Sequence, residues 1–526
     1  MWGPKEAMHD NIDADLTLPS VVSSLPGTSR DQVLSLTIIF HPKTSRIGQT
    51  AVLPRKTDSA GWILGRRSPA FSDATVQVAE PLDDPHISRQ ALEFLPRGKQ
   101  LVVRRFAGSS RCRIAGGELD DSVELQRQEL HKGVALMLGH TVVLLLRLTR
   151  RGGTGAGVLE CGGLLRGSSA YMAGLRRQIL QNAGSDLDVL IRGETGTGKE
   201  LVAAAIHGAS ARAEAPLVSV NMAAIPSDLA AAALFGSAKG AFTGADQAAV
   251  GYFQQAQGGS LFLDEIGDTS ADVQPQLLRA IQQREIQSVG GAIKQVDVRV
   301  ISATDAALEG EGCDFKAALR HRLGACEIQL LPLREHPEDI GELLLYFLAL
   351  AATRLQRSGL LPQEHSSAPE IASWAGLFYR FLCYSWPGNV RELENFSRQV
   401  VLASERQLTL VDHVESTLRN GAAAPRTEPG TMARRRMQAI GEEEFDRALQ
   451  DNHFEVARAA KQLGVSRTAV YRRIEESPRH RLAKEVPRDE LQRVLAEHQE
   501  DILAAAMKLR VSVTSLRALL RQREAE

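Results

Sequence analysis

The sequence predicts a multidomain fold: an all-β sandwich, then an α/β domain with a helical lid, then an all-α region. Three patterns predict it. Residues 34–148 carry short apolar runs (LSLTIIF, GWILGR, ATVQVA, QALEFL, QLVVRRF, TVVLLLRL) separated by Gly, Pro, Ser and Asp turns, which is strand patterning. Residues 159–395 alternate apolar runs (DVLIRG, PLVSVN, SLFLDE, VDVRVISAT) with helical stretches, the signature of a parallel sheet. Beyond residue 436 only helical periodicity remains.

A chain of 526 residues is too long for one core, so several domains are expected. Its 43% hydrophobic and 24% charged residues are those of a soluble globular protein, and a net charge of -1 gives no general attraction to nucleic acid or membrane. Any DNA contact must be local. The five cysteines (Cys112, Cys161, Cys313, Cys326, Cys383) are far apart, odd in number and form no CxxC pair, so neither a disulfide framework nor a zinc site is indicated. No apolar signal segment opens the chain, and no run approaches the roughly 18 apolar residues of a membrane span. A cytoplasmic location and no membrane partner are expected.

Composition sets the boundaries. Residues 1–29 are a polar, proline-bearing leader, 30–149 the sandwich, and 150–158 a glycine-rich tether (RRGGTGAG). Residues 159–413 form the α/β domain with its lid, and 414–436 a linker marked by NGAAAPRTEPGTMARRR, Asn420 to Arg436. Residues 437–477 and 478–526 are two helical units. EEFDRALQDNHFEVARAAKQLGVSRTAVYRRI lies over DELQRVLAEHQEDILAAAMKLRVSVTSLRALL without gaps, pairing Phe445 with Leu491, Leu449 with Leu495, Ala460 with Ala506 and Leu463 with Leu509, an offset of 46 residues.

GETGTGKE (Gly193, Glu194, Thr195, Gly196, Thr197, Gly198, Lys199, Glu200) follows the strand DVLIR and opens the helix LVAAAIHGA. A glycine-rich turn at a helix N-terminus presents backbone N–H groups to an anion, and Lys199 adds charge where the β- and γ-phosphates of ATP would sit. This is a P-loop in which Glu200 replaces the usual hydroxyl ligand of Mg²⁺. Downstream, the strand SLFLDE ends in Asp264, placed to hold Mg²⁺ partly through water, and Glu265, placed to polarise the attacking water. An Asp-Glu pair after a strand is ordinarily a solvated loop start; the P-loop in the same unit makes it a hydrolytic pair.

From Leu164 to about Asn395 these motifs resemble the AAA+ domain of bacterial sigma-54-dependent transcription activators. The most specific is GAFTGA (Gly240, Ala241, Phe242, Thr243, Gly244, Ala245), preceded by LFGSAKG. The resemblance implies that Phe242 and Thr243 contact sigma-54 of RNA polymerase. It also implies that Asn221 of NMAAIP switches the catalytic glutamate, that Arg391 of WPGNVREL is the lid's sensor arginine, and that Arg322 of FKAALRHRL is an arginine finger acting on a neighbouring subunit. A homo-oligomeric ring, usually a hexamer, follows from the shared site. The chain departs from the pattern at Lys316 (second finger), Asp305 (sensor after Thr304), Ser237-Ala238 before the loop, and Tyr252. Lys316 cannot present a planar fork, and Asp305 puts a carboxylate near the phosphates.

Residues 443–474 resemble a Fis-type helix-turn-helix: Ala459-Ala460 and Leu463 pack the first helix, Gly464 turns, and SRTAVYRRI recognises DNA. Ser466, Arg467 and Thr468 are expected at base edges, Arg472 and Arg473 at phosphate, with enhancer DNA the implied partner. The second unit, with Arg510 and Val513 at the corresponding turn and helix, is either a second DNA reader or a dimer seam built on Leu516, Leu519 and Leu520.

At the other end, GWILGRR followed by DDPHISRQA resembles a forkhead-associated (FHA) domain, a sandwich that binds phosphothreonine. Arg66, Ser88 and Arg89 would converge on the phosphate, making a phosphothreonine protein or Ser/Thr kinase the implied partner. Ala91 replaces the family's buttressing histidine, and Arg111-Cys112 its asparagine-glycine; a sandwich that binds no phosphate is the alternative. The combined reading is an enhancer-bound ATPase that remodels sigma-54 RNA polymerase under phosphothreonine control. Asp305 and Lys316 leave open a regulator that holds ATP without turning it over. A general remodelling ATPase is a third reading, but needs neither GAFTGA nor a helix-turn-helix.

Overall fold

The structure, a computed structural model, describes residues 32–53, 61–72, 79–98, 100–150, 165–241, 247–309, 315–363, 366–405, 407–423, 441–452, 454, 456–463, 470, 473–474, 477, 487–497, 502–509, 511–512 and 516. The leader, the tether beyond Arg150, most of the ATVQVA run and residues 424–440 lie outside these. The chain divides into two compact units, Met1–Ala423 and Ala424–Glu526.

The first unit opens with β1 (Gln32–Phe40), β2 (Thr50–Leu53), β3 (Trp62–Leu64), β4 (Ala70–Phe71), β5 (Glu80–Pro81), β6 (Leu92–Arg97), β7 (Gln100–Arg105), β8 (Cys112–Ile114), β9 (Gly117–Glu118), β10 (Ser122–Gln126), the short helix α1 (Arg127–Lys132), β11 (Val134–Leu138) and β12 (Val142–Arg150). Two larger sheets result, ordered β2-β1-β12-β11-β8-β9 and β10-β7-β6-β3, and β4 pairs with β5 apart from them.

Strand β11, the first half of β12 and the end of β1 carry apolar residues on both faces. Leu34, Leu36, Ile38, Val134, Leu136, Leu138, Val142, Leu144 and Leu146 fill the space between the sheets. The alternate residues Ile39, Ala135, Met137, Val143 and Leu145, together with Phe40, belong to a different core, shared with the helical lid. An antiparallel sheet with one wet face alternates apolar and polar residues; the unbroken run VVLLL is what a sheet covered on both sides requires.

The α/β domain follows: α2 (Ala170–Ala183), β13 (Val189–Arg192), α3 (Lys199–Gly208), β14 (Leu217–Asn221), α4 (Ser227–Phe235), α5 (Tyr252–Gln255), β15 (Ser260–Asp264), α6 (Gln274–Gln283), the hairpin β16 (Glu285–Gln287) and β17 (Ile293–Gln295), β18 (Arg299–Thr304), α7 (Ala317–Leu323) and β19 (Cys326–Gln329). Five strands pair in parallel in the order β14-β15-β18-β13-β19. The P-loop thus leaves the sheet beside the end of β18, one strand away from Asp264.

The lid comprises α8 (Ile340–Arg354), α9 (Ala368–Cys383), α10 (Asn389–Ala403) and α11 (Asp412–Ala423). Here the sequence reading is corrected: a linker beginning at 414, or at Asn420, is overruled by α11, whose Val414 and Leu418 are buried in the lid core. The Ala-Gly composition misled because the apolar spacing of Val414 and Leu418, four residues apart, was outweighed by the residues after them.

In the second unit, α12 (Glu442–Asp451) and α13 (Val456–Leu463) enclose a core of Phe445, Ala448, Leu449, Phe454, Ala459, Leu463, Val470 and Ile474. The helices Arg488–Glu497 and Ile502–Leu509 enclose Leu491, Val494, Ala505, Ala506, Leu509, Val511 and Leu516. Leu491, Val494, Ala505, Leu509 and Leu516 stand at the offset of 46 from Phe445, Ala448, Ala459, Leu463 and Val470. Leu516, which one of the two alternatives for this unit placed in a dimer seam, is fully buried in its own unit; Leu519 and Leu520 lie outside the described residues. Among the described residues no helix is long and apolar enough to cross a membrane.

Candidate nucleotide site and its lid

The P-loop bends where only glycine bends easily: Gly196 and Gly198 have φ of +82° and +94°. A side chain at Gly196 would also overlap the carbonyl oxygen of Gly388 in the lid. Helix α3 begins at Lys199, and its first-turn N–H groups have no carbonyl within the helix to bond, so they are available to phosphate oxygens. Lys199 is buried, donates from Nζ to Gly193 O at 3.1 Å, and lies 3.5 Å from Glu265 Oε1.

Glu265 follows β15 in the left-handed conformation, φ 51° and ψ 48°, uncommon for a non-glycine residue and the kind of backbone placement found at functional sites. Burial pushes its carboxyl above the usual range; Lys199 opposes this, while Asp305 and Asp264 reinforce it. Asp264 Oδ1 accepts from Glu265 N at 3.1 Å. Asn221 is the register partner of Asp264 across β14 and β15, and its Oδ1 accepts from Ala223 N at 2.9 Å.

Two P-loop side chains have other duties than the phosphates. Glu194, expected among the nucleotide contacts, gives its carboxylate to the lid: Arg334 donates to Oε2 at 2.7 Å and to Oε1 at 2.5 Å, and Asn389 Nδ2 donates to Oε2 at 3.2 Å. These bonds hold the Glu194 carboxyl below its ordinary range and leave only its backbone to face an anion. Thr195 donates its hydroxyl to Asp305 Oδ2 at 2.6 Å, and Thr197 donates to Glu194 O at 2.7 Å. Glu200 is exposed on the first turn of α3.

Among the described residues no group of three or more His, Cys, Asp or Glu side chains could hold a metal. A Mg²⁺ ion that arrives with a triphosphate takes one or two carboxylates plus phosphate oxygens and water; the sequence expectation for that carboxylate is Asp264.

Residues 165–329 match the family described as the sigma-54 interaction domain. Residues 334–430 match the AAA+ ATPase lid domain, and residues 443–476 the bacterial regulatory proteins of the Fis family. The chain is 45% identical over 259 residues to the DNA-binding transcriptional regulator NtrC of Proteus hauseri, covering 48% of this chain and 52% of that one. It is 47% identical over 255 residues to the transcriptional regulatory protein ZraR of Escherichia coli K12, covering 46% and 55%. A solved structure of NtrX from Brucella abortus in complex with ADP is 29% identical, with a TM-score of 0.43, over 59% of this chain and 69% of that one. The chain spans about half the length of the curated relatives it matches.

Within residues 165–430, Arg391 is exposed, while its N–H and that of Val390 both donate to Gly196 O, at 3.3 and 3.0 Å. The lid therefore touches the P-loop directly. Arg322 and Lys316 are exposed at opposite ends of α7; Arg320 between them pairs with Glu309 and Glu327. Of GAFTGA, Gly240 and Ala241 are described, with Ala241 N donating to Ala238 O at 3.2 Å, and Phe242, Thr243, Gly244 and Ala245 lie outside. The loop's stem is the two-way backbone pair Ser237–Ala249, braced by Ala238 N on Val289 O at 2.9 Å.

Elsewhere, Ser466, Arg467, Thr468 and Arg472 lie outside the described residues. Arg473, expected at phosphate, has its guanidinium over the Phe445 ring, 4.8 Å from the centroid. In the sandwich, Arg66 and Ser88 are joined by Arg66 N donating to Ser88 O at 3.0 Å, and Arg89 is exposed beside them. Ser88 exchanges bonds with Ser110: Ser110 N donates to Ser88 Oγ at 2.8 Å, and Ser88 N to Ser110 Oγ at 3.2 Å. Ala91 is fully buried. The loop carrying Ser88 is thus braced by Ser110.

Three participants escaped the sequence reading: Arg334, Asn389, and the bond from Thr195 to Asp305. Asn389 lies within the quoted motif WPGNVREL; its buried position at φ 53° is not visible in the letters. Nothing in LPLREHPEDI marks Arg334 as a P-loop partner.

Proposed function

We propose that this chain is a sigma-54-dependent transcription regulator that hydrolyses ATP to remodel the closed complex of sigma-54 RNA polymerase. The observation that carries the reading is the Lys199–Glu265 pair, which joins the P-loop to the acidic strand end inside a sigma-54 interaction domain. With ATP bound, Lys199 leaves Glu265 for the phosphates, and the freed carboxylate orients water for attack on the γ-phosphate. Asp264 would hold Mg²⁺, which neutralises charge on the phosphate oxygens. The exposed Arg322 supplies a cation to a neighbouring subunit of a homo-oligomeric ring, and the GAFTGA loop on its Ser237–Ala249 stem passes the motion to sigma-54. The helix-turn-helix holds enhancer DNA. This work belongs in the cytoplasm.

The ATPase rate of the purified chain against Glu265→Gln is the test. A rate at least a hundredfold lower in the variant is expected, in line with the loss of a water-orienting group; equal rates would remove the enzymatic reading. They would favour the regulator that holds ATP without turnover, for which the Thr195–Asp305 bond is the motive.

The sandwich is proposed to be an FHA domain that receives a phosphothreonine protein or kinase at Arg66, Ser88 and Arg89. The Ser88–Ser110 exchange supports this, because it fixes the serine without the family's histidine. Titration with phosphothreonine peptides should show binding that Arg66→Ala abolishes; peptides that bind equally with and without phosphate would exclude it.

A further inference from the structure

Between β19 and α8 runs a short segment of two consecutive 3-10 turns, Leu333–Glu335 and Pro337–Asp339. Its first half holds the P-loop. Arg334 clasps both carboxylate oxygens of Glu194, and Leu333 N donates to Asn389 Oδ1 at 2.9 Å while Asn389 Nδ2 donates to Thr195 O at 3.0 Å. A bidentate guanidinium–carboxylate pair fixes direction as well as distance, so the position of Arg334 sets the tilt of the loop's first turn.

The second half is held by the β-sandwich. Arg147 of β12 donates from Nη1 to both oxygens of Glu338 at 2.7 Å, and from Nη2 to Glu335 O at 2.8 Å. Its Nε bonds His131 O at 2.9 Å, which ties the guanidinium to its own domain. The turn between has little freedom. Asp339 is fully buried and accepts from Ser169 N at 2.9 Å and Ser169 Oγ at 2.6 Å, with His336 Nδ1 at 2.9 Å from the same carboxylate. A fully satisfied buried network of this kind transmits displacement instead of absorbing it.

The sandwich itself sits firmly on the lid. Phe40 meets Phe378 at an interplanar angle of 41° with centroids 4.8 Å apart, Gly116 N donates to Tyr379 Oη at 2.8 Å, and Ile39 packs on Gly341. An apolar interface between domains holds their relation fixed where a polar one would let them drift.

We propose that the segment Leu333–Asp339 is a coupling strap through which the β-sandwich positions the P-loop, with Arg334 the positioning residue at the nucleotide end and Arg147 at the sandwich end. The docked sandwich keeps Glu194 turned toward the lid, which leaves the N–H groups after Gly196 open to phosphates. Loosening the sandwich slackens that grip and weakens nucleotide binding. The inference rests on the reading of this P-loop as an ATP site, and it concerns binding, so it does not require turnover.

The test uses the full chain, with affinity for a fluorescent ATP analogue read by titration and steady-state hydrolysis read separately. Arg334→Ala is expected to weaken nucleotide affinity about tenfold and to raise KM with little change in kcat, as loss of a binding-only interaction does. Arg147→Ala, far from the phosphates, should weaken affinity about threefold in the same direction, and Glu338→Ala, which removes the same pair from the other side, should do likewise. Thermal unfolding of each variant separates this from loss of fold, and Arg147→Lys, which keeps the charge, retains the fold if the alanine variant does not. Nucleotide affinity unchanged in a folded Arg147→Ala or Glu338→Ala chain would overturn the proposal. A Glu265→Gln chain that hydrolyses as fast as the parent would instead overturn the enzymatic reading, leaving the affinity measurement to judge the strap.

Discussion

Thr195 gives its hydroxyl proton to Asp305, 2.6 Å away, so the P-loop is tied to the end of β18 by a carboxylate. The same carboxylate raises the proton affinity of Glu265. An asparagine in its place would leave an amide oxygen for Thr195 to bond while removing a negative charge beside the phosphates. Asp305→Asn should therefore tighten ATP binding severalfold. On the proposed mechanism Glu265 acts ionised, so activity should fall as pH drops through its pKa, and the substitution should move that acid limb to lower pH. A pH–rate profile of both proteins checks the sign; an unmoved limb would separate Asp305 from the catalytic carboxylate.

Glu342 sits where the sandwich meets the lid, and burial pushes its carboxyl up to about 7, with Ser168 opposing and Asp339 reinforcing. A carboxyl whose folded pKa is raised favours the folded state while protonated and loses that contribution as pH rises through the folded value. The chain should lose stability between about pH 4.5 and 7 on this account. Glu342→Gln should not, so its melting temperature should gain on the parent more at pH 8 than at pH 5. Parallel melting curves would contradict the assignment.

Gly341 brings α8 against β1 so closely that a Cβ would lie 2.5 Å from the carbonyl oxygen of Ile39. Backbone cannot retreat as a side chain can. Gly341→Ala should destabilise the first unit by about 1–3 kcal/mol through overpacking, despite alanine's better helix propensity. Urea unfolding measures this, and a stabilised variant would show that the sandwich does not press on the lid.

Leu516 is fully buried in the second copy of the repeat. Leu516→Ala should cost about 2–5 kcal/mol within that copy, as large-to-small core changes do. Limited proteolysis should then cut residues 488–516 sooner while the self-association of the chain is unaltered. A loss of self-association with unchanged protease resistance would return Leu516 to a subunit seam.

Chemistry carried by contiguous residues was legible without coordinates. The turn, the lysine and the helix of Gly193–Glu200 are neighbours along the chain, and so are Asp264 and Glu265 at a strand end. What remained hidden was where continuous apolar runs face. VVLLL reads equally as a buried parallel strand or an unusually apolar sandwich strand. Arg334 was invisible for a related reason, since its partner Glu194 is 140 residues earlier.

The sequence alone determined that a phosphate-binding loop, an acidic strand end, a GAFTGA element and a twice-used helical unit are present, because each is a local pattern with a local physical cause. Only the tertiary structure decided that the sandwich shares a core with the lid, that the Glu194 carboxylate is taken by Arg334 and Asn389, and that Leu516 is buried. Those outcomes depend on which distant surfaces exclude water from one another, and contacts of that kind have no fixed spacing along a chain.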